Sequence, residues 1–166
     1  MIRIEEILQP SRVLMGLQGA NKWEVLREMT DRLAAMQFIR DSEEIYRLLV
    51  ERESLMTTGV KRGFAFPHAF STQFDQSFLT LGVIPGGVDY ESLDHYPVEF
   101  IFLLLGPPNH QTVHLRILAR VSRLMGQADM LEMLRSAKTV EAVMEVLNDT
   151  EGNSPFLWQL VESLKW

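Results

Sequence analysis

Four histidines, His68, His95, His110 and His114, stand in a chain of 166 residues that has no cysteine. The missing thiols remove disulfides, thiolate nucleophiles and cysteine-ligated zinc together, so His, Asp and Glu must carry any chemistry. A neutral imidazole suits two tasks at pH 7. One ring nitrogen can attack an electrophile while the other donates to an orienting acceptor. Context singles out His68. It follows Pro67 and closes a segment holding Arg52, Thr57, Thr58, Gly59 and Gly63, which offers cationic, hydroxyl and backbone donors to an anion. His95 and His110 occupy ordinary loop positions and are expected to be structural or superficial. No H-E-x-x-H pair is present, so neither a metal nor another cofactor is expected.

With 16 basic and 22 acidic residues the formal charge is −6, a field that opposes phosphate-backbone binding and makes nucleic acid an unlikely class of partner. Hydrophobic residues at 46% and charged residues at 23% fit one soluble globular domain with a single core. The stretch Met1 to Gln9 alternates apolar and charged residues, unlike a signal peptide. The apolar run from Phe100 to Leu105 ends at Gly106-Pro107-Pro108 and is too short to span a bilayer. No membrane insertion and a cytoplasmic location are expected.

The elements that must hold His68 follow from periodicity. A short strand or turn lies near Val13 to Leu17. Within Asn21 to Phe38, the residues Val25, Leu26, Met29, Leu33 and Met36 fall at helical spacing. Asp41 or Ser42 can cap a second helix from Glu43 to about Glu51, with Ile45, Leu48 and Leu49 inward, which brings Arg52 to its C-terminal end. A loop from Thr57 to Gly63 leads into a short strand, Phe64-Ala65-Phe66, stopped by Pro67, so His68 is expected at a strand exit. Two more strands are predicted, Phe78 to Ile84 and Val98 to Leu105, the latter apolar enough to need cover on both faces. Helical spacing returns at Val113 to Met125, with Leu115, Leu118, Val121 and Met125 inward, then at Asp129 to Leu134 and Val140 to Leu147. This order predicts an α/β fold, a three-layer α/β/α sandwich around a mixed sheet.

The segment Arg52 to Ala69, RESLMTTGVKRGFAFPHA, resembles the active-site signature of the phosphotransferase-system enzyme IIA family of the mannitol and fructose type. The shared features are an Arg-Glu pair, a Thr-Gly-Val turn, a further glycine and an apolar-Ala-apolar-Pro-His ending. A second block, Tyr96 to Met125, is similar to the family's Pro-Val, buried strand, Pro and His-Leu helix start. NDTEG at Asn148 to Gly152 looks most like the nitrogen-regulatory branch. Two positions depart from the pattern: Met56 stands where many members have glycine, and Ala69 follows the histidine where glycine is commoner, so a stiffer loop and a tighter pocket are expected.

The resemblance implies that His68 accepts a phosphoryl group from a phosphohistidine carrier, HPr or a nitrogen-branch homologue. It further implies that His114 assists as a second active-site histidine and that Arg52 meets the phosphoryl oxygens. Thr58 and Gly59 are turn formers that can also touch phosphate. The plain alternatives are a helix cap for His114 and an ion pair with Glu51 or Asp41 for Arg52. Phe64, Phe66 and Phe70 alternate around His68 as core, with Phe70 a candidate for the pocket rim.

Two other functions compete with a free-standing relay or nitrogen-related regulatory role. One is a sugar-specific enzyme IIA passing phosphate to a separate IIB. The other is a non-catalytic domain like those of some anion transporters. The enzyme IIA-like domain is expected to span 1–152. Beyond it, a tail at 153–166 has Ser154 and Pro155 as helix starters and Phe156, Leu157, Leu160, Val161 and Leu164 on one face. That stripe is expected to dock on its own domain, on a sister chain in a homo-oligomer, or on a regulatory target protein.

Overall fold

The computed structural model describes residues 3–60 and 62–152; the tail helix expected at 153–166 lies outside them. The chain opens with α1 (Ile4–Ile7), a 3-10 turn and β1 (Val13–Leu14), then α2 (Lys22–Ala35) and α3 (Ser42–Leu55). The strands β2 (Phe64–Ala65), β3 (His68–Phe70), β4 (Phe78–Val88) and β5 (Val98–Gly106) follow. A second 3-10 turn (Pro108–His110) leads to α4 (Gln111–Met125), α5 (Met130–Ser136) and α6 (Val140–Gly152). Among the described residues no helix is long and apolar enough to cross a membrane.

α2 and α3 start where short polar side chains can take up free backbone donors. Asn21 Oδ1 accepts from Glu24 N at 3.0 Å and an Asp41 carboxylate oxygen accepts from Glu44 N at 3.2 Å, caps worth about 1 kcal/mol each. α3 runs past the expected end near Glu51 to Leu55, so Arg52 and Glu53 both lie in its last turn. Arg52 Nη1 donates to the Met56 carbonyl at 2.9 Å, a cation on a free carbonyl at the negative helix end.

The sheet has the order β1-β4-β5-β2, with β3 also on β5. β1 is parallel to β4, β4 is antiparallel to β5, and β2 and β3 are both parallel to β5. The mixed α/β sandwich expected from element order is therefore present. β5 is the central strand, and its unbroken apolar run serves two faces. Phe100, Phe102 and Leu104 join Ile117, Val121 and Leu147 from α4 and α6, whereas Ile101, Leu103 and Leu105 join Leu26, Met29 and Leu49 from α2 and α3. The single core expected for one domain is thus divided by the sheet into two apolar layers.

Four other local expectations differ from the structure. Leu115 is 69% exposed while Ile117 and Leu124 are buried beside Val121 and Met125, because the buried face of α4 is turned by a fraction of a turn from the expected one. Met36 caps the end of α2 and is exposed. β4 does not stop at Pro85-Gly86-Gly87 but passes through a bulge there and pairs again at Val88 with Val98. Gly86 and Gly87 take φ of 79° and 77°, which glycine adopts without strain.

The fourth difference bears on His68. Pro67 interrupts a strand without ending it. Phe64 and Ala65 pair with Phe100 and Ile101, and His68, Ala69 and Phe70 pair with Leu104, Leu105 and Gly106. The register is constant across the proline, which lacks the N–H that the ladder to β5 would use at that position. Leu104 N still donates to the Pro67 carbonyl at 3.0 Å. His68 therefore begins the second half of an edge strand, not a loop after one.

Candidate functional site

Side chains at 64, 66, 68 and 70 point to one face of the sheet by strand alternation. Phe64 and Phe66 are buried in the core layer under α4. His68 and Phe70 lie farther along, half-buried, where that layer opens. The Phe70 ring stacks on the His114 imidazole with centroids 4.3 Å apart. The ring expected at the pocket rim thus packs on one of the two candidate histidines.

His68 Nδ1 lies 3.3 Å from the Phe66 carbonyl. A carbonyl only accepts, so this contact is a hydrogen bond when Nδ1 carries the proton, which leaves the lone pair on Nε2. Burial is the main cause that lowers the proton affinity of His68; the Phe66 bond opposes it, and the nearby Arg52 charge adds to it. The neutral ring is favoured, and a neutral ring is the nucleophilic form.

His114, in the first turn of α4, is only 2% exposed. Its Nε2 is 2.9 Å from Ser77 Oγ, and the same oxygen is 2.9 Å from His110 Nδ1. Burial, followed by the neighbouring His68 and His110, pulls His114 down to about 4. His68 and His114 therefore lie within electrostatic reach of each other.

This has a measurable consequence. In the unfolded chain the ring takes a proton near its ordinary 6.5, whereas the fold resists protonation until about 4. The stability that His114 contributes as a neutral ring is present above pH 6.5 and is lost as pH falls from there toward 4. At 1.36 kcal/mol per pKa step the loss is about 3 kcal/mol. Urea unfolding at pH 7 and pH 4 should show the wild type losing about that much more than His114→Gln. Equal losses would mean that the folded ring ionises freely.

Arg52 is brought to the same end by α3, where its charge is felt at His68. The alternative ion pair with Glu51 or Asp41 does not form: Glu51 pairs with Arg47 at 2.9 Å, and Arg52 holds the Met56 carbonyl. Thr58 and Gly59 lie beneath the surface instead of lining it. The Thr58 hydroxyl is taken by Glu53 and lies 3.2 Å from the Tyr90 hydroxyl. Gly59 packs so closely against Ser92 and Tyr90 that a Cβ would collide with Ser92 Oγ.

Glu53 carried no assigned role in the sequence, yet it organises this turn. Its side chain is fully buried and accepts from Thr58 N at 3.2 Å, from the Thr58 hydroxyl and from the Tyr90 hydroxyl at 3.3 Å. Lys22 Nζ supplies the countercharge at 3.5 Å, lies 3.1 Å from Glu91, and sits over the Trp23 and Tyr90 rings. Burial and the Glu53 charge keep the Tyr90 phenol protonated well above its usual range. Lys22, Ser77 and Tyr90 carry no local pattern that would have marked them, because they reach the site from three separate segments. His110 was legible as a histidine but not as a partner of Ser77. His110 and His114 do stand four residues apart, a spacing shared with metal pairs on helices. Here Ser77 lies between them, and among the described residues no three His, Asp or Glu side chains form a metal site.

Comparison with known proteins bears on the family and the fold. The family model described as phosphoenolpyruvate-dependent sugar phosphotransferase system, EIIA 2, matches residues 6–150. A nitrogen regulatory protein of Pseudomonas aeruginosa is 33% identical over 152 residues, 92% of this chain and 99% of that protein. The crystal structure of nitrogen regulatory protein IIA-Ntr from Neisseria meningitidis superposes with a TM-score of 0.79 at 26% identity, covering 87% of this chain and 98% of that one. The enzyme IIAMTL of Escherichia coli, solved in complex with phosphorylated enzyme IIBMTL, shares the fold with a TM-score of 0.69 at 18% identity, covering 84% of this chain and 95% of that one. With a match across nearly the whole chain, this protein belongs to the EIIA 2 family of the phosphotransferase system and is a phosphoryl carrier of that type.

Proposed function

We propose that this carrier holds its phosphoryl group on Nε2 of His68, having taken it from a phosphohistidine carrier of the HPr type in a nitrogen-related relay. The observation that carries the reading is the bond from His68 Nδ1 to the Phe66 carbonyl. It orients the ring and leaves Nε2 as the free nucleophile beside a second, buried histidine. In transfer, the Nε2–P bond forms as the donor's N–P bond breaks, with the two nitrogens in line. His114 and Arg52 then meet charge on the phosphoryl oxygens, His114 more strongly in the transition state than in the resting phosphohistidine. Glu53, Thr58 and Gly59 act through the shape they impose on the turn beside His68. Such a carrier works in the cytoplasm.

The nitrogen-related role is supported by the identity with the Pseudomonas aeruginosa protein over nearly its whole length. The second reading, delivery to a sugar-specific IIB partner, is favoured by the fold shared with the mannitol enzyme IIA solved with its phosphorylated IIB. A reconstituted relay decides both. Phosphoenolpyruvate, enzyme I and HPr-type carriers should place acid-labile phosphate on the wild-type protein. If no carrier labels it, the assignment of a phosphorylated histidine falls. Transfer onward to a IIB domain would favour the sugar reading.

Arg52 offers a finer test. Arg52→Lys keeps the charge but loses the planar fork that meets two oxygens at once. Transfer at saturating carrier should slow on the order of tenfold, about the effect of 1.4 kcal/mol. An Arg52→Ala protein with wild-type rates would leave the guanidinium only as a cap on the Met56 carbonyl.

A further inference from the structure

The chain of contacts from His114 through Ser77 to His110 has no part in the reading above. Two hydrogen bonds of 2.9 Å meet at Ser77 Oγ. A hydroxyl supplies one proton, so at least one ring nitrogen must supply another. Either His114 Nε2–H donates to Ser77 and Ser77 donates to His110 Nδ1, or both bonds run in reverse, or both rings donate to the two lone pairs of Oγ. In the first two arrangements the proton positions on the two histidines are coupled.

The other nitrogen of His114 chooses between them. Nδ1 is buried and has no hydrogen-bond partner among the described residues. In the reverse arrangement Nδ1 would carry a proton with nothing to receive it, and a buried N–H without an acceptor is the rarer and costlier defect. In the forward arrangement Nδ1 keeps only a lone pair. The low proton affinity of His114 agrees, since it leaves one proton on the ring to be placed.

Gly106, at the end of β5, is the third member of the arrangement. A Cβ there would collide with both Ser77 Oγ and His114 Nε2. The start of β4, the end of β5 and the first turn of α4 can meet this closely because position 106 has no side chain.

We propose that Ser77 and His110 are positioning residues that fix the orientation of the His114 ring and the placement of its proton on Nε2. This rests on the reading of His114 as the histidine that assists transfer at His68. In the resting protein Ser77 holds the Nε2–H, which turns to a phosphoryl oxygen in transfer; a ring protonated on Nδ1 would lack that donor, and misplacement of about 1 Å at a reacting centre can cost up to about 10²-fold in rate.

The test is nitrogen-15 spectroscopy of histidine-labelled protein beside the relay assay. In the wild type, His114 should show a protonated Nε2 with a proton protected from exchange and an unprotonated Nδ1. Ser77→Ala should lose that protected proton and slow transfer, whereas Ser77→Thr, which keeps the hydroxyl, should restore both. His110→Ala frees the Ser77 hydroxyl to donate to His114, so the His114 nitrogens should move to intermediate shifts. Unchanged His114 signals in Ser77→Ala would overturn the proposal. Unchanged signals in His110→Ala alone would remove His110 from it. A wild type that takes no phosphate from any carrier would instead defeat the relay reading, and the spectra would still decide the proton placement.

Discussion

A His68→Ala protein is expected to fold as the wild type does and to accept no acid-labile phosphate from any carrier. The fold should survive because the side chain is half-buried on an edge strand, and its one hydrogen bond among the described residues goes to the Phe66 carbonyl. Strand pairing of residues 68–70 uses backbone groups, which alanine keeps. Acceptance should vanish because no other histidine combines exposure with a free nucleophilic nitrogen in the matched segment. His114 is buried with Nε2 bonded to Ser77, and His110 holds the other side of that hydroxyl. Thermal unfolding compares stability, and peptide mapping of labelled wild type locates the phosphate. A phosphoryl group on His110 or His114 would overturn the assignment.

The second large effect is on stability. Lys22→Met should cost about 3–5 kcal/mol, because it leaves the Glu53 carboxylate buried without its countercharge. For a domain of this size that lowers the unfolding temperature by on the order of 10 °C. The three kinds of donor on Glu53, the Thr58 amide, the Thr58 hydroxyl and the Tyr90 hydroxyl, hydrogen-bond the carboxylate but do not neutralise it. Adding Glu53→Gln to Lys22→Met should recover much of the loss, since a neutral amide needs no countercharge and keeps an acceptor for Thr58. Calorimetry on the two variants measures it. A loss below about 1 kcal/mol in the single variant would mean that solvent reaches Glu53 and screens it.

The contrast between His68 and Glu53 shows where the sequence was informative. Arg52, Thr58, Gly59, Pro67 and His68 lie within one short segment, and residue types at fixed spacing in one segment can be read without a fold. Element order was legible for the same reason. Period 3.6 in α2 and α3 and the unbroken apolar run of β5 are local consequences of which faces need burial. Even so, the edge of the buried face of α4 was misread, where Leu115 faces out and Ile117 faces in. A stripe with apolar residues on several sides does not say which side the sheet will cover.

Tertiary structure decided what depended on distant partners. Pro67 reads as a strand stop, yet the strand resumes in register because β5 offers a continuous ladder beside it. The Thr58 hydroxyl reads as a phosphate donor, yet it is turned inward by Glu53, whose own burial is made tolerable by Lys22 from α2 and Tyr90 after β4. Ser77 reads as nothing in particular. It becomes the hinge between two histidines only because β4 starts beside the end of β5, where Gly106 leaves room for them. Residue type and spacing by themselves determined which atoms could do the chemistry. Which nitrogen is free, which hydroxyl is occupied and which charge is compensated depend on burial and on contacts between segments remote in the chain, and only the folded structure supplies those.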